Sequence, residues 1–215
     1  LLQLAPQFNQ AGYWTQWLHY LEEGLAASIS RQDEASEAAL AAEIGLLHQR
    51  QGRFDVAQSY LQRARVLAHR QADNALQVVA LQRLAENARL RRHYTECANL
   101  LRMAQSRLPA DHPEQAPGYF VAGKAAFDQQ DYTAATQSFT QAMQLWEKTG
   151  NSGRLAWCVQ NLARIAWVHK EFARAIELYE QALTLLKSVA DLNNLAVVNM
   201  NLGIIYYECH QYEQA

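Results

Sequence analysis

Apolar and small positions recur along the chain with a period of about forty residues. Aromatic residues stand at Trp14, Phe54, Tyr94, Tyr132, Phe172 and Tyr212, at intervals of 40, 40, 38, 40 and 40. Three residues after each comes Trp17, Ala57, Cys97, Ala135, Ala175 or Ala215, small in every case but the first. Ten residues after the aromatic lies a second small position (Gly24, Ala64, Ala104, Ala142, Ala182), and nine before it a third (Ala5, Gly45, Ala85, Gly123, Ala163, Gly203). The polar positions keep the same phase. Asp33, Asp73, Asp111, Asn151 and Asp191 each precede the third slot by twelve residues, and their side chains can accept from the free N–H groups of a first helical turn. Small residues let two antiparallel helices approach closely, and the aromatic fills the gap beside the turn. The pattern predicts helix pairs, with a first helix of about 18 residues and a second of about 15 to 17 that starts at the aromatic.

Composition supports this. Alanine, leucine and glutamine dominate, against 9 Gly and 4 Pro in 215 residues, which favours helix over a β-sandwich or an α/β nucleotide fold. A formal charge of -2 supplies no long-range attraction to DNA or an anionic membrane. Cys97, Cys158 and Cys209 are odd in number and far apart, which points to a reducing, cytoplasmic setting. The N-terminus lacks the basic flank of a secretory signal and a starting Met, so the chain is expected to be part of a longer protein.

Ile44-Gly45, Gly52, Phe54, Ala57 and Ala64, with Leu202-Gly203, Tyr206 and Tyr212, resemble the tetratricopeptide repeat, whose pattern places Leu-Gly in the first helix and Gly-x-Tyr-x-x-Ala at the turn. The match runs over nearly the whole chain. It departs from the commonest form in its longer period and in lacking the closing proline. Longer repeats of this kind resemble those of Leu-Gly-Asn polarity adaptors, kinesin light chains, bacterial pheromone receptors and the sensor arms of STAND/NB-ARC-type signalling ATPases. The segment from Gly12 to Asp33 is most similar to the last group.

The resemblance implies an all-α fold, a right-handed superhelical solenoid of antiparallel helix pairs forming a single domain over 1–215. Its repeats are 33–72, 73–110, 111–150 and 151–190, with partial ones at 1–32 and 191–215. Leu108 to Gly118, with Pro109, Pro113 and Pro117, is the longest loop, either a joint between two halves or a rigid loop with Pro113 in the next first turn. The cut repeats at both ends predict exposed apolar surface, covered by neighbouring sequence or by a second copy.

On the side of the first helices opposite the packing stripe, helical spacing collects an aromatic and basic set. In tetratricopeptide arrays, resemblance implies that this side lines a concave groove. The expected partner-binding residues are Arg83, Arg89, Phe120, Lys124, Phe127, Trp157, Asn161, Arg164, Trp167, Asn201 and Tyr207. Arg164 and Lys124 suit carboxylates, and Asn161 and Asn201 can pair with the backbone of an extended peptide. Packing between adjacent first helices is the competing explanation for Phe127, Trp167 and Tyr207. Between residues 83 and 107 six arginines face Glu86 and Glu96 alone, a local positive excess.

No phosphate-binding loop, dinucleotide fingerprint or serine-nucleophile elbow occurs, and the histidines and cysteines lack metal-ligand spacing. The expectation is a protein that is not an enzyme, without cofactor or metal. It binds another protein or peptide, one with acidic residues, rather than nucleic acid or membrane. The alternatives are a ligand-sensing regulatory arm of a larger signalling ATPase and a homo-oligomer joined through the open repeat ends.

Overall fold

The structure is a computed structural model describing residues 14–209. Tyr212, Ala215, His210, Ala5 and the rest of the first thirteen residues lie outside the described residues. Within them there are ten α-helices, one 3-10 turn and no strand. They are α1 (Trp14–Ser30), α2 (Glu34–Arg50), α3 (Phe54–Arg70), α4 (Asn74–Leu90), α5 (Tyr94–Gln105), the 3-10 turn Pro113–Gln115, α6 (Ala116–Asp128), α7 (Tyr132–Lys148), α8 (Ser152–Val168), α9 (Phe172–Ser188) and α10 (Leu192–Glu208). The second helices start at Phe54, Tyr94, Tyr132 and Phe172, the aromatic positions that set the phase. The chain divides into two compact units, one up to Ala110 and one from Asp111 onward, with the proline-rich stretch at the division. Within each unit, taken by itself, consecutive helices pack as neighbours.

The cap positions start their helices by accepting backbone N–H groups. Asp33 accepts from Ser36 at 3.1 Å, Asp73 from Leu76 at 2.9 Å, Asn151 from Arg154 at 3.1 Å and Asp191 from Asn194 at 3.2 Å. Asp111 does not act this way. Pro113 and Pro117 shift the start: His112 Nδ1 accepts from the Glu114 N–H at 3.2 Å, a 3-10 turn follows, and α6 begins only at Ala116. α6 is therefore 13 residues long where the other first helices have 17. The turns close by a left-handed residue just before the next helix's cap position: Gln32, Gly52, Ala72, Arg92, Gln130, Gly150, Lys170 and Ala190 all have φ between 52° and 72°. Only Gly52 and Gly150 adopt this conformation without a Cβ penalty; elsewhere it costs about 1 kcal/mol per site, which the flanking helix packing outweighs.

The small slots are where helices meet. A Cβ on Gly45 would lie 2.7 Å from Leu61 Cγ, and one on Gly123 2.6 Å from the Phe139 ring. Ala57, Ala64, Cys97, Ala104, Ala135, Ala142, Ala163, Ala175 and Ala182 are buried at the remaining crossings. Around them, unit 1 packs Trp17, Leu21, Ile44 and Leu47, and unit 2 packs Phe139, Trp146, Tyr179 and Leu186. Val197, Met200, Ile204 and Tyr207, three or four apart on α10, form an exposed apolar stripe.

His48 is 6% exposed and stacks on Tyr60 at 5.6 Å. Burial, reinforced by the Arg53 charge, holds its imidazole below the ordinary value near 6.5. The unfolded chain therefore binds a proton that the folded one refuses once pH drops below about 6.5, and stability falls with pH in that window. Urea unfolding at pH 7.5 and 5.5 should show a larger loss for the native chain than for His48→Gln; equal losses would remove the assignment.

Candidate partner-binding face

In unit 2 the first helices α6, α8 and α10 carry the expected aromatic and basic residues in register. Phe120 departs from expectation. It is 8% exposed and inside the core, its ring 5.6 Å from Phe139, 5.5 Å from Trp146 and 6.1 Å from Trp157. Helical-wheel spacing placed it on the solvent side, but this position is buried in unit 1 too, at Ala42 and Gln82, and the bare Gly123 a turn further on lets α7 close in over Phe120. Phe120 thereby becomes the floor of the face rather than part of its surface. Lys124 lies above it, with Nζ 5.0 Å from the ring centre.

Around Arg164 the residues converge. Its guanidinium sits 4.4 Å over the Phe127 ring, and NH1 donates to Asn161 Oδ1 at 3.2 Å. Asn161, 9% exposed, in turn donates Nδ2 to the Trp157 carbonyl at 2.7 Å. The amide expected to meet a peptide backbone is instead engaged within α8, where it fixes the height and tilt of Arg164. No carboxylate lies within ion-pair distance of Arg164 among the described residues, and the side chain is half-buried. Burial pushes the Tyr179 hydroxyl up to about 12, against the Arg164 charge and the Asn201 side chain beside it. Arg164, Tyr179 and Asn201 are thus neighbours across α8, α9 and α10.

The flanks are aromatic. Trp157 is half-buried, with the Arg154 guanidinium 4.3 Å above its ring, and its indole Nε1 is buried without a hydrogen-bond partner. Trp167 Nε1 donates to Glu208 Oε2 at 2.8 Å, which ties α8 to α10. Tyr207 stands open, 65% exposed. Arg154 lay outside the expected set, although a cation three residues before a tryptophan is a local signal for it, whereas Tyr179 comes from another helix and carries none.

Arg83 and Arg89 belong to unit 1 and are neutralised there. Arg83 is paired with Glu43, and Arg89 with Glu86 at 2.8 Å. Arg91 likewise reaches Asp55 at 3.2 Å. The positive excess inferred from residues 83 to 107 is therefore reduced by acids one repeat upstream. Glu43 and Arg83 are 40 residues apart, the same phase in adjacent repeats, and that spacing was the overlooked signal.

Cys97 and Cys158 are buried, and burial raises the Cys158 thiol above its ordinary range. Among the described residues no cluster of His, Cys, Asp and Glu could hold a metal ion, and no helix is long and apolar enough to cross a membrane.

Residues 119–188, covering most of α6 through α9, match the tetratricopeptide repeat family. That segment of unit 2 is similar to tetratricopeptide repeats. Solved structures extend the likeness in fold beyond this segment. BtubC (BKLC) from P. vanneervenii is 17% identical with a TM-score of 0.75, covering 94% of this chain and 86% of its own. A kinesin light chain-type protein of Podosopora anserina with nearly identical TPR-like repeats is 20% identical with a TM-score of 0.56, covering 86% and 93%. The Cut9–Hcn1 hetero-tetramer of the APC/C is 15% identical with a TM-score of 0.50, covering 96% of this chain and 42% of that one. No curated protein matches the chain. Tetratricopeptide repeats are in general protein-interaction scaffolds, and the match over residues 119–188 supports that general kind of surface here.

Proposed function

We propose that unit 2 captures an extended or helical segment of another protein along the α6, α8 and α10 face, and that the segment places a carboxylate on Arg164. The observation that carries this is the state of Arg164: half-buried, held by Phe127 and Asn161, and without an acid of its own. A pre-oriented guanidinium loses little rotamer freedom on binding and offers two parallel donors to a carboxylate. Phe127, Trp167 and Tyr207 give that charge an aromatic surround, the composition in which interface energy concentrates.

Peptides selected from a displayed library on the full chain provide the test. Arg164→Glu combined with Tyr207→Ala should weaken them about tenfold or more, a loss typical of a desolvated charge pair. Helicity and melting should stay near those of the parent. Trp157→Ala is the poorer probe, because that ring packs against the cores of unit 2. Selected peptides whose affinity is indifferent to the double substitution would dispose of the reading.

A further inference from the structure

In unit 1 the second helices α3 and α5 border a cleft of about 300 Å³. Its floor is Leu81 of α4, fully buried, and its walls include Val66 and Met103, which are 44% and 41% exposed. The rim is basic: Arg65, His69 and Arg70 from α3, and Arg107 just past α5, with no carboxylate in the lining. Arg70 reaches Glu34 at 3.5 Å on the outer side. Arg65 and Arg107 have no ion-pair partner among the described residues, and Arg65 Nε is buried with no hydrogen-bond partner.

Repeat phase shows how unusual Arg65 is. The equivalent positions are Leu25 in α1, buried in unit 1, Met143 in α7 and Leu183 in α9, both packed against the apolar core of unit 2, and the exposed Gln105 in α5. A guanidinium thus occupies a position that three of the four other repeats fill with an apolar side chain and one with an exposed amide, and one of its donors is withdrawn from water without an acceptor. That arrangement is costly in the isolated unit and is relieved when an acceptor arrives.

We propose that this cleft is a second docking surface, taking an acidic protein segment that inserts an aliphatic side chain between its carboxylates. The aliphatic group would lie between Val66 and Met103 over Leu81, with the carboxylates on Arg65 and Arg107. Charge complementarity selects the acid, and the open apolar walls select the anchor. A nucleic acid fits less well, because the cleft offers no Phe, Tyr or Trp platform for successive bases, and its one ring, His69, lies at the rim.

The test uses the full chain and short labelled peptides in which one Leu or Met is flanked by Asp or Glu at graded distances. Gln or Asn counterparts remove the charge, and Ala counterparts remove the anchor. Anisotropy should show binding of the acidic, aliphatic peptides and about tenfold weakening by Arg107→Glu and by Arg65→Gln. Val66→Ala should weaken them about threefold, consistent with one truncated apolar contact. Arg164→Glu should leave this binding unchanged, which separates it from the face of unit 2. Arg65 is half-buried, so if Arg65→Gln lowers helicity, the exposed Arg107→Glu decides the matter. No preference over the uncharged counterparts, indifference to Arg107→Glu, or tighter binding of a single-stranded oligonucleotide lost in the same variants would each overturn the proposal.

Discussion

Phe139→Ala should lower the stability of the chain by about 3–5 kcal/mol, the range for emptying a buried aromatic site. The ring is fully buried in unit 2, rests on the bare backbone at Gly123 and meets Phe120 at 5.6 Å. Its removal leaves a cavity bounded by two helices whose spacing the ring itself sets, so little can collapse into it. Urea unfolding followed by helical circular dichroism measures the loss. Phe172→Ala, at a half-exposed turn-start aromatic, should cost clearly less. If the two losses were equal, the aromatic at the crossing would be no more important to the stack than one at a turn.

Gly123→Ala is the second large effect, and it acts from the other side of the same contact. In an open helix the change would stabilise by up to about 1 kcal/mol, because alanine restricts the unfolded chain and favours helix. Here the new Cβ would stand 2.6 Å from the Phe139 ring, which cannot fold aside as an aliphatic tip can. A net loss of about 1–3 kcal/mol is expected, as for overpacked cores. Gly153→Ala is the internal contrast: its Cβ would meet only Val189 at 3.7 Å, an ordinary contact, and should be neutral or stabilising. Combining Gly123→Ala with Phe139→Leu should recover part of the loss, because the second repeat carries that pairing naturally as Ala85 and Leu101, both buried. Additive losses would mean that the two positions do not share a packing constraint.

That pairing also explains why so much of the fold was legible beforehand. A helix crossing constrains the size of the residue on each side, so Gly45, Ala85, Gly123 and Ala163 stand out as a rhythm in the sequence alone. The caps Asp33, Asp73, Asn151 and Asp191 were equally legible, since capping is decided within four residues. Asp111 misled because Pro113 and Pro117 impose their own backbone geometry on the stretch that follows. Phe120 was misplaced for a different reason: three residues before the small slot, Ala42 and Gln82 are buried as well, because closely approaching helices cover more of the first helix than a wheel centred on the slot suggests.

The face was less legible because its function depends on partners from other helices. Arg164 was found from spacing, but its perch on Phe127 and the brace from Asn161 are tertiary facts. Arg83 looked available until Glu43, one repeat earlier, was seen to neutralise it. Arg65 gave the opposite lesson. It is unremarkable in a chain with 19 Lys and Arg and becomes informative only when its unpartnered Nε is compared with Leu25, Met143 and Leu183, the apolar residues at three of the four other positions in the same phase. Repeats make such comparisons possible, because each copy is a control for the others.

The most direct measurement is an NMR titration of the full chain with a peptide selected on it, following the indole and backbone signals. Binding at the proposed face should move the Trp167 indole N–H, now held by Glu208, together with amides around Phe127, Arg164 and Tyr207. Shifts confined to the outward sides of α7 and α9, with the Trp167 indole unmoved, would contradict the account.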